Sequence, residues 1–243
     1  MKIPVPRLLL IVAIAVACSL ANAKEGEPSQ PDPKTVWDLM NSWDQNHPYR
    51  HTRMTISSPE SNSVVDSYCS ISDFGTEAFL LVTSPVTEYW IVNTPLDSFA
   101  FFPRSGITSK TEVINNRASE YDLEVWTSIV NCSKSIAVEQ LGVGYRLHIE
   151  WDPSSAADLG FCNAQAKRAF RTYHIASDGF VERMESTNDD TRTLFTSEII
   201  TLKRDAVVLS LPSFPNSVDL SAEPDFEEAV TMDQESLAGL EPH

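Results

Sequence analysis

The chain has 243 residues with 34 acidic against 18 basic side chains, a formal charge of -16. A polypeptide this acidic repels phosphate, which argues against nucleic acid as a partner. Its length suits one domain with a sizeable core, and none of its cysteines lies in a CxxC or His–Cys cluster, which argues against a zinc or redox centre.

The first 23 residues (1–23) read as an export signal. Lys2 and Arg7 form a positive start, Leu8 to Ala17 an apolar run too short to span a membrane, and Ala21-Asn22-Ala23 a small-residue exit. This pattern predicts cleavage after Ala23 and a soluble product outside the cytoplasm, periplasmic or secreted. Ala15-Val16-Ala17-Cys18 also resembles a bacterial lipobox, with Ala15 where that motif usually has Leu; the alternative is a lipid anchor on Cys18. The mature chain then keeps Cys69, Cys132 and Cys162, an odd number that permits one bridge at most, with Cys132 and Cys162 the favoured pair.

Residues 24–31 are a polar, proline-bearing leader expected to be flexible and extended. The folded domain is assigned to 32–215. Asp32 is placed to cap a first helix with Pro33 at its first position; Val36, Leu39, Met40 and Trp43 share one face, and Pro48 ends it near Asn46. From Tyr49 the period becomes two. Strands are predicted around Thr52–Ile56 and over Val64–Ile71, Glu77–Thr83, Glu88–Asn93 and Ser98–Phe102, joined by short polar loops, the pattern of an antiparallel meander. Glu120–Val130 returns to helical spacing, with Ser119 as its cap. Further strands are predicted at Ser135–Gln140, Gly144–Trp151, Arg168–Ala176, Phe180–Ser186 and Leu194–Leu202, with Asp178-Gly179 a hairpin signal. Asp152–Asp158 reads as a short helix or loop. The total is about ten strands and two helices, with no internal repeat.

The tail, 216–243, holds eight acids from Asp219 onward and no Lys or Arg, and is expected to be disordered; the alternative is an interaction tail.

No catalytic constellation emerges: there is no GxSxG elbow, HExxH, phosphate-binding glycine loop or EF-hand spacing. No metal site, cofactor or enzymatic activity is expected. His47 and His51 are four apart but separated by Pro48, and read as solvated or capping residues. His148 and His174 suit the polar face of an amphipathic strand, and Asp189-Asp190 a turn. The central strands, in contrast, are apolar on both faces: alternation puts Phe99 and Phe101 on one side and Phe102 on the other. Such a sheet must be covered twice, by helices or by a ligand. Trp90, Phe99 and Phe101 are the candidate ligand-binding residues.

Two segments carry a family resemblance. The meander Phe79-Leu-Leu-Val-Thr-Ser-Pro-Val-Thr-Glu-Tyr-Trp-Ile-Val-Asn-Thr-Pro-Leu-Asp-Ser-Phe-Ala-Phe-Phe-Pro103 and the late hairpin Phe170-Arg-Thr-Tyr-His-Ile-Ala-Ser-Asp-Gly-Phe-Val-Glu-Arg-Met184, with Phe195 and Leu211-Pro212 after it, are similar to the periplasmic LolA/LolB-like superfamily of lipoprotein carriers and sensor domains. The resemblance runs from about Val36 to Leu211. It implies a mainly β (α+β) fold: a curved antiparallel sheet forming an unclosed half-barrel, with two or more helices over its concave face. It also implies a lipid or lipoprotein acyl chain as ligand, with another envelope protein or a membrane surface as further contacts. A lid-closing arginine has three candidates, Arg50, Arg53 and Arg104, and no motif chooses among them. The expected function is therefore an exported binding or carrier protein for an apolar ligand; the alternative is a non-catalytic interaction or sensor module with a filled core.

Overall fold

The structure, a computed structural model, describes residues 31–59, 61–72, 75–85, 87–93, 98–110, 121–157, 162, 165–209, 214 and 223–238. Residues 1–23, read above as an export signal and including Cys18, residues 24–30, and Ser119 with Glu120 lie outside them.

Helix α1 (Pro33–Asn46) buries Val36, Met40 and Trp43 of the stripe that its spacing predicts; Leu39 is only partly buried, and Trp37, outside that stripe, is buried as well. Asp32 occupies the N-cap position, yet its side chain makes no capping bond. Strands β1 (Arg50–Ser57), β2 (Asn62–Ser72), β3 (Gly75–Thr83), β4 (Glu88–Asn93), β5 (Ser98–Phe102) and β6 (Ile107–Lys110) follow as a meander. Helix α2 begins three residues later than expected, at Leu123, and runs to Cys132. Asp122 caps it, accepting from the Val125 amide at 2.9 Å, so the role assigned to Ser119 passes to Asp122. Then come β7 (Ser133–Leu141), β8 (Gly144–Trp151), the single turn α3 (Pro153–Ala156), β9 (Ala169–Ile175), β10 (Val181–Asn188), β11 (Thr191–Thr201), α4 (Arg204–Leu209) and α5 (Phe226–Ala238).

The eleven strands form one antiparallel, unclosed half-barrel in the order β6-β5-β4-β3-β2-β1-β11-β10-β9-β8-β7. The first strand pairs with the last at the centre, while β6 and β7, consecutive in the chain, are the two edges. Side chains alternate between the faces, so register assigns each residue to one of them. One face carries Thr52, Ser67, Leu80, Ile91 and Ala100 in a single cross-strand row. At its β7–β9 end this face packs Leu147, Ile149, Trp151 and Tyr173 against α1 and Ile129 of α2. At the β4–β6 end, Ala100 and Phe102 pack against Phe226, Ala229 and Val230 of α5. The opposite face holds a second cluster, Tyr68, Phe79, Trp90, Val92 and Phe99, closed by Val207 of α4 and by Phe214. Both faces of the aromatic strands are thus covered, as their composition requires.

Two expectations are corrected. The acidic tail contains the helix α5, because Phe226, Ala229 and Val230 recur at helical spacing and bury one face. Cys132 and Cys162 are not bridged: the described cysteines are thiols, and Cys132 instead donates to the Ser155 carbonyl of α3 at 3.4 Å. No helix among the described residues is long and apolar enough to cross a membrane.

Candidate functional site

Trp37 joins both helices to the sheet. Its indole N–H donates to the Asp122 carbonyl at the start of α2 (3.2 Å), and its ring meets Tyr121, Trp126 and, edge to face, Tyr173 of β9, with centroids 5.3, 5.5 and 6.1 Å away. The other end of α1 is held from below. In the β9–β10 turn, Gly179 has φ +101° and its α-carbon presses on the backbone of Leu39; a β-carbon there would lie 2.3 Å from the Leu39 carbonyl oxygen. Phe180, next in the turn, packs on Trp43 at 4.9 Å.

Arg50 closes the same end. Its guanidinium donates to the Asp44 and His47 carbonyls (3.1 and 3.0 Å) and lies 3.6 Å from the Asp44 carboxylate, satisfying acceptors that a helix C-terminus leaves open. The His47 ring adds a 2.7 Å contact to the Trp43 carbonyl, a capping role in keeping with its position. Of the three arginines considered from sequence, Arg50 borders the space under α1. Arg53 lies on the opposite face, and Arg104 pairs with Glu88 at 3.8 Å.

Between these supports the helices do not reach the sheet, and a cavity of about 390 Å³ remains. Trp37 and Trp43 of α1, Val125 and Ile129 of α2, and Phe180 in the turn form its roof and side. Its floor crosses the central seam: Thr52, Met54, Val65, Ser67 and Leu80 from one half of the sheet meet Phe195, Ser197, Met184 and Tyr173 from the other. The volume falls within the range of small-molecule sites, roughly 300–1,000 Å³. Among the described residues, three charged ones line it, Arg50, Arg171 and Asp44. Arg171 donates to the Tyr173 hydroxyl at 3.4 Å and lies over the Trp151 ring. Cys69, opposite Arg50 in the β1–β2 register, is a buried thiol whose pKa burial pushes up, so it stays protonated.

The sequence-derived candidates Trp90, Phe99 and Phe101 come together, in register across β4 and β5. They occupy the face opposite the cavity, where Phe214 meets Trp90 and Phe101. The cavity residues leave no local signal in the sequence, because their assembly depends on β1 pairing with β11, a contact between segments about 140 residues apart.

The opposite face also carries a polar group on β1 and β2. The Asp66 carboxylate, 6 % exposed, contacts His51 Nε2 at 2.8 Å and accepts from Arg53 Nε and Nη2 at 3.0 and 3.3 Å. His51 stacks on Tyr68 at 4.1 Å. His51 is therefore neither solvated nor a cap, as its spacing suggested, but a buried partner of Asp66. The bond to Asp66 holds Arg53 more firmly charged, and burial pushes the Tyr68 phenol up. His148, bonded to Thr172 at 2.9 Å, and His174 lie on the same face, toward its polar end.

No family model and no curated protein matches the sequence. Among solved structures, the chain is similar to LprF from Mycobacterium bovis (10 % identity, 70 % of this chain and 94 % of that one, TM-score 0.32). It is similar also to the lipoprotein LppX from Mycobacterium tuberculosis (13 %, 69 % and 95 %, 0.40) and to a chain of the MucA/MucB complex from Pseudomonas aeruginosa (10 %, 71 % and 60 %, 0.40).

Proposed function

We propose that this protein acts outside the cytoplasm as a non-catalytic binder or carrier of an apolar ligand, the alkyl part of a lipid or of a lipoprotein acyl chain. The observation that carries the reading is the cavity between α1, α2 and the sheet, walled by tryptophan, phenylalanine, leucine and methionine side chains. Two guanidinium groups against one carboxylate give its wall a positive bias, which suits an acid or ester head at the end of the alkyl chain. The export signal supplies the compartment.

Each methylene transferred from water contributes about 0.8 kcal/mol, close to a fourfold gain in affinity. Saturated fatty acids from octanoate upward, titrated by calorimetry, are expected to show such a ladder. Leu80→Trp, which fills the cavity floor, should weaken each member at least tenfold while the fold is kept by circular dichroism. A protein that takes up no member of the series, and carries no lipid in native mass spectrometry after mild purification, does not have this function.

A further inference from the structure

The cavity does not end the apolar surface on its face of the sheet. Leu80 in its floor pairs with Ile91, Ile91 with Ala100, and Ala100 with Ser109. The row thus continues without a change of face from the cavity to the strip Tyr89, Ala100, Phe102 and Ile107, which α5 covers.

The contact that covers the strip contains a fault. On its packed side α5 presents Phe226, Ala229 and Val230, and one turn beyond Ala229 it presents Asp233. Asp233 is 0 % exposed, and among the described residues neither carboxylate oxygen has a hydrogen-bond partner. The Ser109 hydroxyl on β6 is also fully buried and, among the described residues, unpartnered. Whether charged or neutral, a carboxyl group taken from water without a partner opposes the contact that buries it. The other acids of the helix, Glu227, Glu228 and Glu235, are solvent-facing and lose nothing on release. Among the described residues, α5 is held by three apolar side chains against one unpaired carboxylate, and a helix so held is poised to leave.

We infer that α5 is a displaceable strap, and that the strip beneath it is a second stretch of alkyl-binding surface, occupied by the far end of a long chain whose near end fills the cavity. This rests on the apolar-ligand reading above. The ligand's methylenes replace Phe226, Ala229 and Val230 on Ala100 and Phe102, and Asp233 returns to water.

The fatty-acid ladder and hydrogen exchange of α5 decide it together. In the native protein, amides of 226–238 should exchange at least tenfold faster than those of α1, and faster again with octadecanoate bound. Asp233→Leu, which replaces the unpaired carboxylate with an apolar side chain, should slow that exchange at least tenfold. It should leave the short fatty acids bound as before but weaken octadecanoate at least tenfold, so that the ladder levels off early. Ala229→Glu, which places a second carboxylate in the contact, should release α5 while the ladder still climbs to octadecanoate. The strap is overturned if α5 is as protected as α1 in the native protein, or if Asp233→Leu speeds its exchange. The second surface is overturned if Asp233→Leu locks α5 and octadecanoate is unaffected, or if Ala229→Glu weakens it. Absence of binding for short and long members alike overturns the apolar-ligand reading itself, and this surface with it.

Discussion

Gly179 is the smallest group on which the site depends. Its φ of +101° lies where side chains are rarely tolerated, and its α-carbon is pressed against the Leu39 carbonyl. Gly179→Ala should cost at least about 2 kcal/mol, measured as a lower urea midpoint with an unchanged slope, and should lift the end of α1 that roofs the cavity. Asp66 makes a different demand. Its replacement by Ala leaves His51 buried without its acceptor, while Arg53, half exposed, recovers water. The loss should be about 2 kcal/mol, below that of a fully buried ion pair. His174 supplies a pH dependence. Burial, with Arg146 and Arg183 nearby, lowers its pKa from 6.5, so between the lowered value and 6.5 the unfolded chain binds more protons than the native one. Stability is full above pH 6.5 and falls as the pH drops through that window. His174→Gln should shrink the difference in melting temperature between pH 7.5 and pH 5. A histidine on a polar face was legible from alternation; its two cationic neighbours come from β8 and β10, and only the pairing reveals them.

Elements whose signals are local were legible. Pro33, the Val36–Met40–Trp43 stripe and Pro48 bound α1 as the structure does, and Gly144–Trp151 is the strand its alternation describes. Elements defined by what they pack on were not. Strand β6 has four residues and exists as a partner for β5, and α5 is a weakly apolar, acidic segment that becomes a helix by resting on Ala100 and Phe102. Helix α2 lies between: its periodicity was visible, but its true cap, Asp122, stands beside other polar residues that suit the role equally. Asp122→Ala should cost about 1 kcal/mol, read from chemical denaturation. The Trp37 bond is to the Asp122 backbone carbonyl and should survive, so the fluorescence of the native state should not move.

At the scale of the molecule, the sheet consists of two meanders, β1 to β6 and β7 to β11, joined along a single seam where β1 meets β11. The composition of each meander was readable in the sequence; the seam was not, because pairing between the first and last strands reflects closure of the whole chain. Its importance can be measured. Thr196 lies mid-seam, between Thr55 and Arg183, and Thr196→Pro removes a ladder donor where the sheet has no edge; a cooperative thermal transition should be lost. The cavity floor straddles this seam, with β1, β2 and β3 on one side and β9, β10 and β11 on the other. During synthesis the first wall of the site therefore emerges long before its second, and the apolar floor of β1–β3 waits for nearly the whole polypeptide before it can enclose anything. On the proposed function, loading follows completion of the chain: a ligand offered to a nascent protein meets an open ledge, and a ligand offered to the finished one meets a room.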